Sequence, residues 1–241
     1  MARDGLVLAF DTSHGKGSVA VARGEGLLCE ILFDAADTHS ATLMPAIESA
    51  LGIAKVELRS VDLFAVTIGP GSFTGLRIGL ATVKGLSSVE RRPVATMTSL
   101  ELLASAIPYS KKAVCPLIDA YKGEVYAALY DTTTGSPHEL VPPFAAEPGE
   151  AAEALRGRGP LVLCGTGLGR YGDTLLGLLP EGSLHAGAKW AIPSAGILAL
   201  RAPALEPVVY EELPGIEPLY IRPPDAKLPS GTKLRPGGSG R

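Results

Sequence analysis

Between Ala65 and Val89 the chain reads AVTIGPGSFTGLRIGLATVKGLSSV, a run that few architectures accommodate. It opens as an apolar strand, Phe64 to Ile68, and breaks at Gly69-Pro70-Gly71, where neither helix nor strand continues. Ser72 or Thr74 then caps a helix, Thr74 to Ser88, that carries Leu76, Leu80, Val83 and Leu86 at helical spacing. Gly71, Gly75 and Gly79 recur every fourth residue, which leaves one face of that helix without side chains. Glycine inside a helix costs about 1 kcal/mol relative to alanine, so two such glycines on one face point to a close approach. Either the helix lies against its own sheet there, or another chain packs on it. The GPGS loop has the character of an anion cradle at a helix N-terminus, but it lacks the lysine and spacing of a P-loop.

The rest of the chain frames this stretch. Strands are predicted at Leu6–Phe10, Ser18–Ala22 and Leu27–Phe33, a meander whose first hairpin ends in Asp11-Thr12-Ser13. A helix follows over Ala41–Leu51, with Pro45 near its first turn delaying or bending it. After the glycine-striped helix come a short strand, Pro93–Thr96, and a helix, Thr98–Ile107. The pattern then restarts: LAFDTSHGKGSVAVA and PLIDAYKGEVYAALY each hold an apolar strand, a terminal aspartate, a Lys-Gly turn and a returning strand. This reads as an internal duplication, two α/β lobes each with a mixed sheet and helices, divided near Pro108 to Lys112. The expected division is 1–108 and 109–224, with 225–241 a disordered basic Gly/Pro-rich tail, either native or a remnant of cloning.

Composition narrows the function classes. A net charge of −3 gives no argument for a polyanion-wrapping surface, so any RNA would be held mostly by a partner. Cys29, Cys115 and Cys164 are widely spaced and odd in number, which predicts reduced thiols and a cytoplasmic location. No apolar run approaches the ~20 residues that span a membrane. Asp4 and Asp11 flank the first apolar run, which is not the pattern of a signal peptide. The chain contains neither Asn nor Gln; a heat-adapted source or biased codon usage would each produce this.

Two lobes with acidic hairpins facing a central cleft are similar to the actin/Hsp70/sugar-kinase (ASKHA) architecture, in which such hairpins hold phosphates and a divalent metal. Here Asp11, Thr12 and Ser13 form one hairpin tip and Asp119 and Lys122 the other. Gly165-Thr166-Gly167 follows a predicted strand, Leu161–Cys164, where that fold cradles adenosine. The candidate nucleotide residues are therefore Asp11, Thr12, Ser13, Gly165 and Gly167, in a degenerate cleft; turn chemistry is the alternative for the aspartates. No two of the four histidines stand at the i, i+4 spacing that places two imidazoles on one helix face.

AFDTS near the N-terminus, HSATLMP at 39–45, GPGSFTGLRIGL at 69–80 and PLYIRPPDA at 218–226 resemble the bacterial TsaB (YeaZ) family over most of the chain. The resemblance implies the two-lobed ASKHA fold and a paralogue of TsaD, the catalytic subunit that makes threonylcarbamoyladenosine in tRNA. It implies a non-catalytic partner of a TsaD-type transferase, with a TsaE-type ATPase in the same complex and tRNA met only through it. It requires no cofactor or metal, leaves room for weak ATP or ADP binding, and allows a homodimer. In register with the paralogue's GPG loop, its HxxxH metal pair falls on Ser99 and Leu103, neither a transition-metal ligand. The expected partner surface joins Leu43, Met44 and Ile47 to Gly71, Gly75, Leu76, Gly79 and Leu80. Two competing readings are an actin-like kinase or ATPase using Asp11 and Asp119, and a glycoprotease-type peptidase.

Overall fold

A computed structural model of the chain describes residues 4–34, 39–187 and 191–221; the tail expected at 225–241 lies outside them. The first repeat runs β1 (Leu6–Asp11), β2 (Lys16–Arg23), β3 (Gly26–Asp34), α1 (His39–Ala54), β4 (Leu63–Thr67), α2 (Phe73–Glu90), β5 (Val94–Met97) and α3 (Ser99–Ser105). The second runs β6 (Val114–Asp119), β7 (Val125–Asp131), β8 (His138–Ala146), α4 (Pro148–Ala154), β9 (Val162–Cys164), α5 (Leu168–Leu178), β10 (Leu184–His185) and α6 (Ala195–Arg201). The sheets are ordered β3-β2-β1-β4-β5 and β8-β7-β6-β9-β10, with antiparallel meanders and parallel crossovers at matching places. The same element order and sheet order in both halves make this a duplicated α/β fold with two lobes.

Alternation sorts side chains by size across the first sheet. Leu6, Leu8, Phe10, Val19, Val21, Phe64 and Val66 pack under α1 and α2. The other face presents Ala9, Ala20, Ala22, Ala65 and Ala95, so α6 settles close to the backbone through Ala195, Leu198 and Ala199. Pro45 does not delay α1; the helix starts at His39 and carries the proline inside it. In the second lobe, α4 and α5 cover one sheet face, and Leu100, Leu103 and Ala104 of α3 cover the other.

The linear division therefore needs correction. α3 closes the first repeat yet packs on the second sheet, and α6 closes the second repeat yet packs on the first. From the end of α6 to residue 221 the chain stays with the first lobe. Val208 bridges to Val94, and Leu219 N–H donates to the Ile68 carbonyl at 2.7 Å. A sheet buried on both faces needs a cover on each, and each lobe takes one cover from the other repeat.

Where the exchanged helices meet, Glu101 of α3 sits among Arg201 of α6, Glu139 of β8 and Tyr130 of β7. Burial raises the Glu101 pKa, Arg201 opposes that shift and Glu139 adds to it. A carboxyl raised in the folded state favours folding while protonated, and that contribution is lost as pH rises from its unfolded pKa through its folded one. Glu101→Gln should therefore melt progressively higher than wild type as pH rises from about 4 towards 7, by thermal denaturation. A difference that stays constant or shrinks over that range would contradict this.

Candidate functional site

The cleft between the lobes has a volume of about 590 Å³ and is lined by Ser13, His14, Lys16, Ser72, Asp119, Tyr121 and Thr166, among others. The two hairpin aspartates end equivalent strands, β1 and β6, but they are engaged differently. Asp11 is fully buried beneath the cleft. Its Oδ1 accepts from Ser13 Oγ at 2.6 Å, Thr67 Oγ1 at 2.5 Å and the Ser13 N–H at 3.3 Å, while Oδ2 is buried with no hydrogen bond. Asp119 lines the cleft. Its Oδ1 accepts from the Tyr121 N–H at 2.8 Å and Tyr171 Oη at 3.2 Å, and its Oδ2 from Arg170 at 3.3 Å. Burial and the neighbouring Asp119 charge both raise the Tyr171 pKa, so this phenol is a donor to the carboxylate at neutral pH.

The glycine strip explains how Asp11 is sealed. A Cβ at Gly71 would stand 2.2 Å from the Ser13 carbonyl oxygen, and one at Gly79 would stand 2.4 Å from Thr12 Oγ1. Thr12 Oγ1 donates to the Gly75 carbonyl at 2.8 Å, and Ser72 N–H donates to the Ser13 carbonyl at 2.7 Å. Ser72 caps α2 by accepting from the Gly75 N–H. The strip is thus the seat of the β1–β2 hairpin, and of the two readings open in the sequence the internal one holds. Leu43, Ile47 and Leu80 are likewise buried in the first core and Leu76 is buried beside Gly69, so they and the three glycines are not surface anchors. Of the expected partner residues, Met44 is exposed.

Gly165 and Gly167 also face inward. A Cβ at Gly165 would stand 2.4 Å from the Leu117 carbonyl oxygen, and Gly167 N–H donates to that same oxygen at 2.9 Å. Only Thr166 of this cluster lines the cleft. The ASKHA fold implies a metal-bound nucleotide between the hairpins, and these residues do not fit one. Thr12 and Ser13 give their hydroxyls to the protein, Asp11 is sealed, and Asp119 is bound by Arg170 and Tyr171. Ser99 and Leu103 stand one turn apart on α3, both fully buried. Among the described residues no group of three or more His, Cys, Asp or Glu side chains is placed to hold a metal ion.

A second cluster escaped the sequence. At the first turn of α2, Arg77 stacks over Phe73 at 3.8 Å and donates to Tyr220 Oη at 3.2 Å, and the two rings lie 5.6 Å apart. Phe73, Arg77, Ala81, Gly85 and Ser88 form an exposed stripe along α2, and a Cβ at Gly85 would meet nothing within 4 Å. The i, i+4 and i, i+3 spacing of these residues was readable; their outward direction was not, because both faces of the helix carry glycine.

Comparison with known proteins agrees with the two-lobed fold. The TsaB proteins of Bacillus subtilis and Haemophilus influenzae, described as tRNA threonylcarbamoyladenosine biosynthesis proteins, are 32% identical over 136 residues and 37% identical over 123. These alignments cover 56% and 50% of this chain, and the chain spans 59% and 51% of those proteins' length. The structure described as YeaZ from Pseudomonas aeruginosa superposes with a TM-score of 0.74 at 27% identity, over 90% of this chain and 99% of that one. Residues 31–156, just over half of the chain, match the family described as TsaD: tRNA N6-adenosine threonylcarbamoyltransferase. The chain belongs to the TsaB (YeaZ) family. Component A of (R)-2-hydroxyglutaryl-CoA dehydratase from Acidaminococcus fermentans shares the fold of this TsaB-family chain, with a TM-score of 0.50 at 11% identity. No helix among the described residues is long and apolar enough to cross a membrane.

The seat of the hairpin in this TsaB-family chain is tested by adding the missing Cβ. Gly79→Ala should lower stability by about 1–3 kcal/mol, as overpacking does in a filled site, despite alanine's better helix propensity. Gly85→Ala should raise it by up to about 1 kcal/mol. Denaturant unfolding checks both; equal effects at the two positions would contradict the assigned faces.

Proposed function

We propose that the chain supports formation of threonylcarbamoyladenosine in tRNA as the non-catalytic partner of a TsaD-type transferase. The observation that carries this reading is the engagement of both hairpin carboxylates by the protein's own donors. A kinase or ATPase needs a carboxylate free to take a proton from its substrate and a clamp for the phosphates. Here the frame of such a site persists as a joint between strand ends and helix starts. ATP or ADP would bind the cleft weakly or not at all, no metal is required, and a TsaE-type ATPase and the tRNA would join through the complex.

The partner surface in this reading is the outer stripe of α2 with Met44 on the neighbouring α1. Phe73, Arg77 and Tyr220 supply the aromatic and guanidinium anchors that dominate binding energy at interfaces. Their mutual stacking orders them before a partner arrives, which reduces the entropy lost on binding. Ala81, Gly85 and Ser88 leave room for a second helix to lie close.

Gly85→Leu therefore separates binding from folding. The variant should melt no lower than wild type, because leucine is the better helix former and its Cβ would meet nothing within 4 Å. It should lose at least tenfold in affinity for the TsaD-type subunit, measured by titration calorimetry, and lose the stimulation of threonylcarbamoyl transfer in a reconstituted reaction. Wild-type affinity in a folded variant would place the interface elsewhere.

A further inference from the structure

The fold treats its sulfur atoms unequally. Among the described residues they belong to Met44, Met97, Cys29, Cys115 and Cys164. Met97 ends β5 in the core beneath α6, at 2% exposure. Cys115 and Cys164 are buried on opposite faces of the second sheet. Burial pushes the Cys115 thiol up to about 12 and raises that of Cys164 as well. Cys29 is half-buried, and burial together with the Glu30 charge raises its thiol too. Oxidants attack the thiolate, so all three cysteines are held in the less reactive form at neutral pH. A thioether needs no deprotonation, and its oxidation is governed by access. Met44 is 40% exposed. Composition makes that exposure unusual, because the chain has neither Asn nor Gln and only three Met. A sequence poor in labile side chains still presents a thioether to solvent.

We infer that Met44 is an oxidation site that turns off assembly of this chain with its partner: the free chain takes up oxygen at the Met44 sulfur, and the sulfoxide no longer suits the contact made by α1. The inference rests on the partner surface proposed above and adds its regulation. On the exposed side of α1, Met44 stands with Ala41 and Pro45, an apolar turn backed by the buried Leu43 and Ile47. A flexible, polarizable thioether suits such a contact. The sulfoxide carries a strong S–O dipole, and burying its oxygen without a hydrogen-bond donor is costly. The surrounding turn supplies none. Ala41 has no side-chain donor, Pro45 lacks even a backbone N–H, and Glu48 one turn on is an acceptor when ionised. Ser49 Oγ already donates to the Pro45 carbonyl at 2.8 Å. The step balances with a peroxide as oxidant. A sulfur lone pair attacks one peroxide oxygen, the O–O bond breaks, an S–O bond forms and water leaves. Sulfur loses two electrons and the peroxide gains them. A bound partner would cover Met44, so oxidation acts on the free chain and competes with assembly.

Hydrogen peroxide is the probe. The full chain is treated briefly, and peptide mapping by mass spectrometry locates each added oxygen. Met44 should gain one oxygen about tenfold faster than Met97 or more, with no change in melting temperature, because its side chain is exposed. Affinity for the TsaD-type subunit is measured by titration calorimetry before and after treatment. Oxidation should weaken the wild-type chain about tenfold or more, and methionine sulfoxide reductase with a dithiol should restore it. In Met44→Leu the ratio of the two affinities should stay near one, whatever the variant's starting value. Oxygen added to Met97 or a cysteine as fast as to Met44 would overturn the inference. Equal losses in wild type and Met44→Leu would do the same. An untreated chain with no affinity for the TsaD-type subunit would overturn the partner reading and this inference together. A chain that binds before oxidation and equally well with Met44 oxidised would overturn the inference alone.

Discussion

A carboxylate with no exposure to water is among the costliest groups a fold can contain, and Asp11 is such a group. It is retained because three donors converge on one of its oxygens, two from Ser13 and one from Thr67. That convergence ties the end of β1 to the end of β4. The hairpin it stiffens is then clamped by α2, whose glycines admit the Thr12 and Ser13 backbone and hydroxyl to within hydrogen-bonding range. Alanine at Gly71 would collide with a carbonyl that has nowhere to go. The position of α2 on the first sheet, the closing of the cleft floor and the outward turn of Phe73 and Arg77 all follow from this contact.

The two repeats hold each other by exchanging their last helices. α3 lies on the second sheet and α6 on the first, so neither lobe has a complete core alone. The alanine-lined face of the first sheet is matched chiefly to Ala195, Gly196 and Ala199 on α6, with Leu102 of α3 beside them. The second hairpin repeats the first in topology but not in chemistry. Asp119 reaches Arg170 and Tyr171 on α5 and stays at the cleft wall, where Asp11 is drawn under it. The duplicated frame has thus kept both acidic strand ends and given each a structural partner.

Much of this was legible in the residues. Apolar runs bounded by turn residues announced β1, β2 and β7, the Gly69 break announced α2, and the repeated strand–Asp–turn–strand pattern announced the duplication. The C-terminal third was less so. α6 is seven residues, AGILALR, whose pattern states no preference between sheets, and β10 is too short to carry one. The glycine strip was readable as a close approach, but not as an approach by Thr12 and Ser13, some sixty residues earlier. Leu43, Ile47, Leu76 and Leu80 look alike as core or interface in one dimension; burial alone separates them from Met44. Arg170 and Tyr171 could have been found as the first polar pair after the Gly165 cluster, yet nothing in the spacing named Asp119 as their target.

The central claim is that this cleft is architecture and that catalysis belongs to the partner. Asp119→Ala tests it most directly, because Asp119 is the hairpin carboxylate that reaches the cleft and its Arg170 partner is exposed. The variant is to be assembled with the TsaD-type subunit and assayed for threonylcarbamoyl transfer to tRNA, with complex formation measured in the same samples. The account predicts a rate within about twofold of wild type. A loss of about 10²-fold or more with the complex intact, the scale of removing a general base, would contradict it.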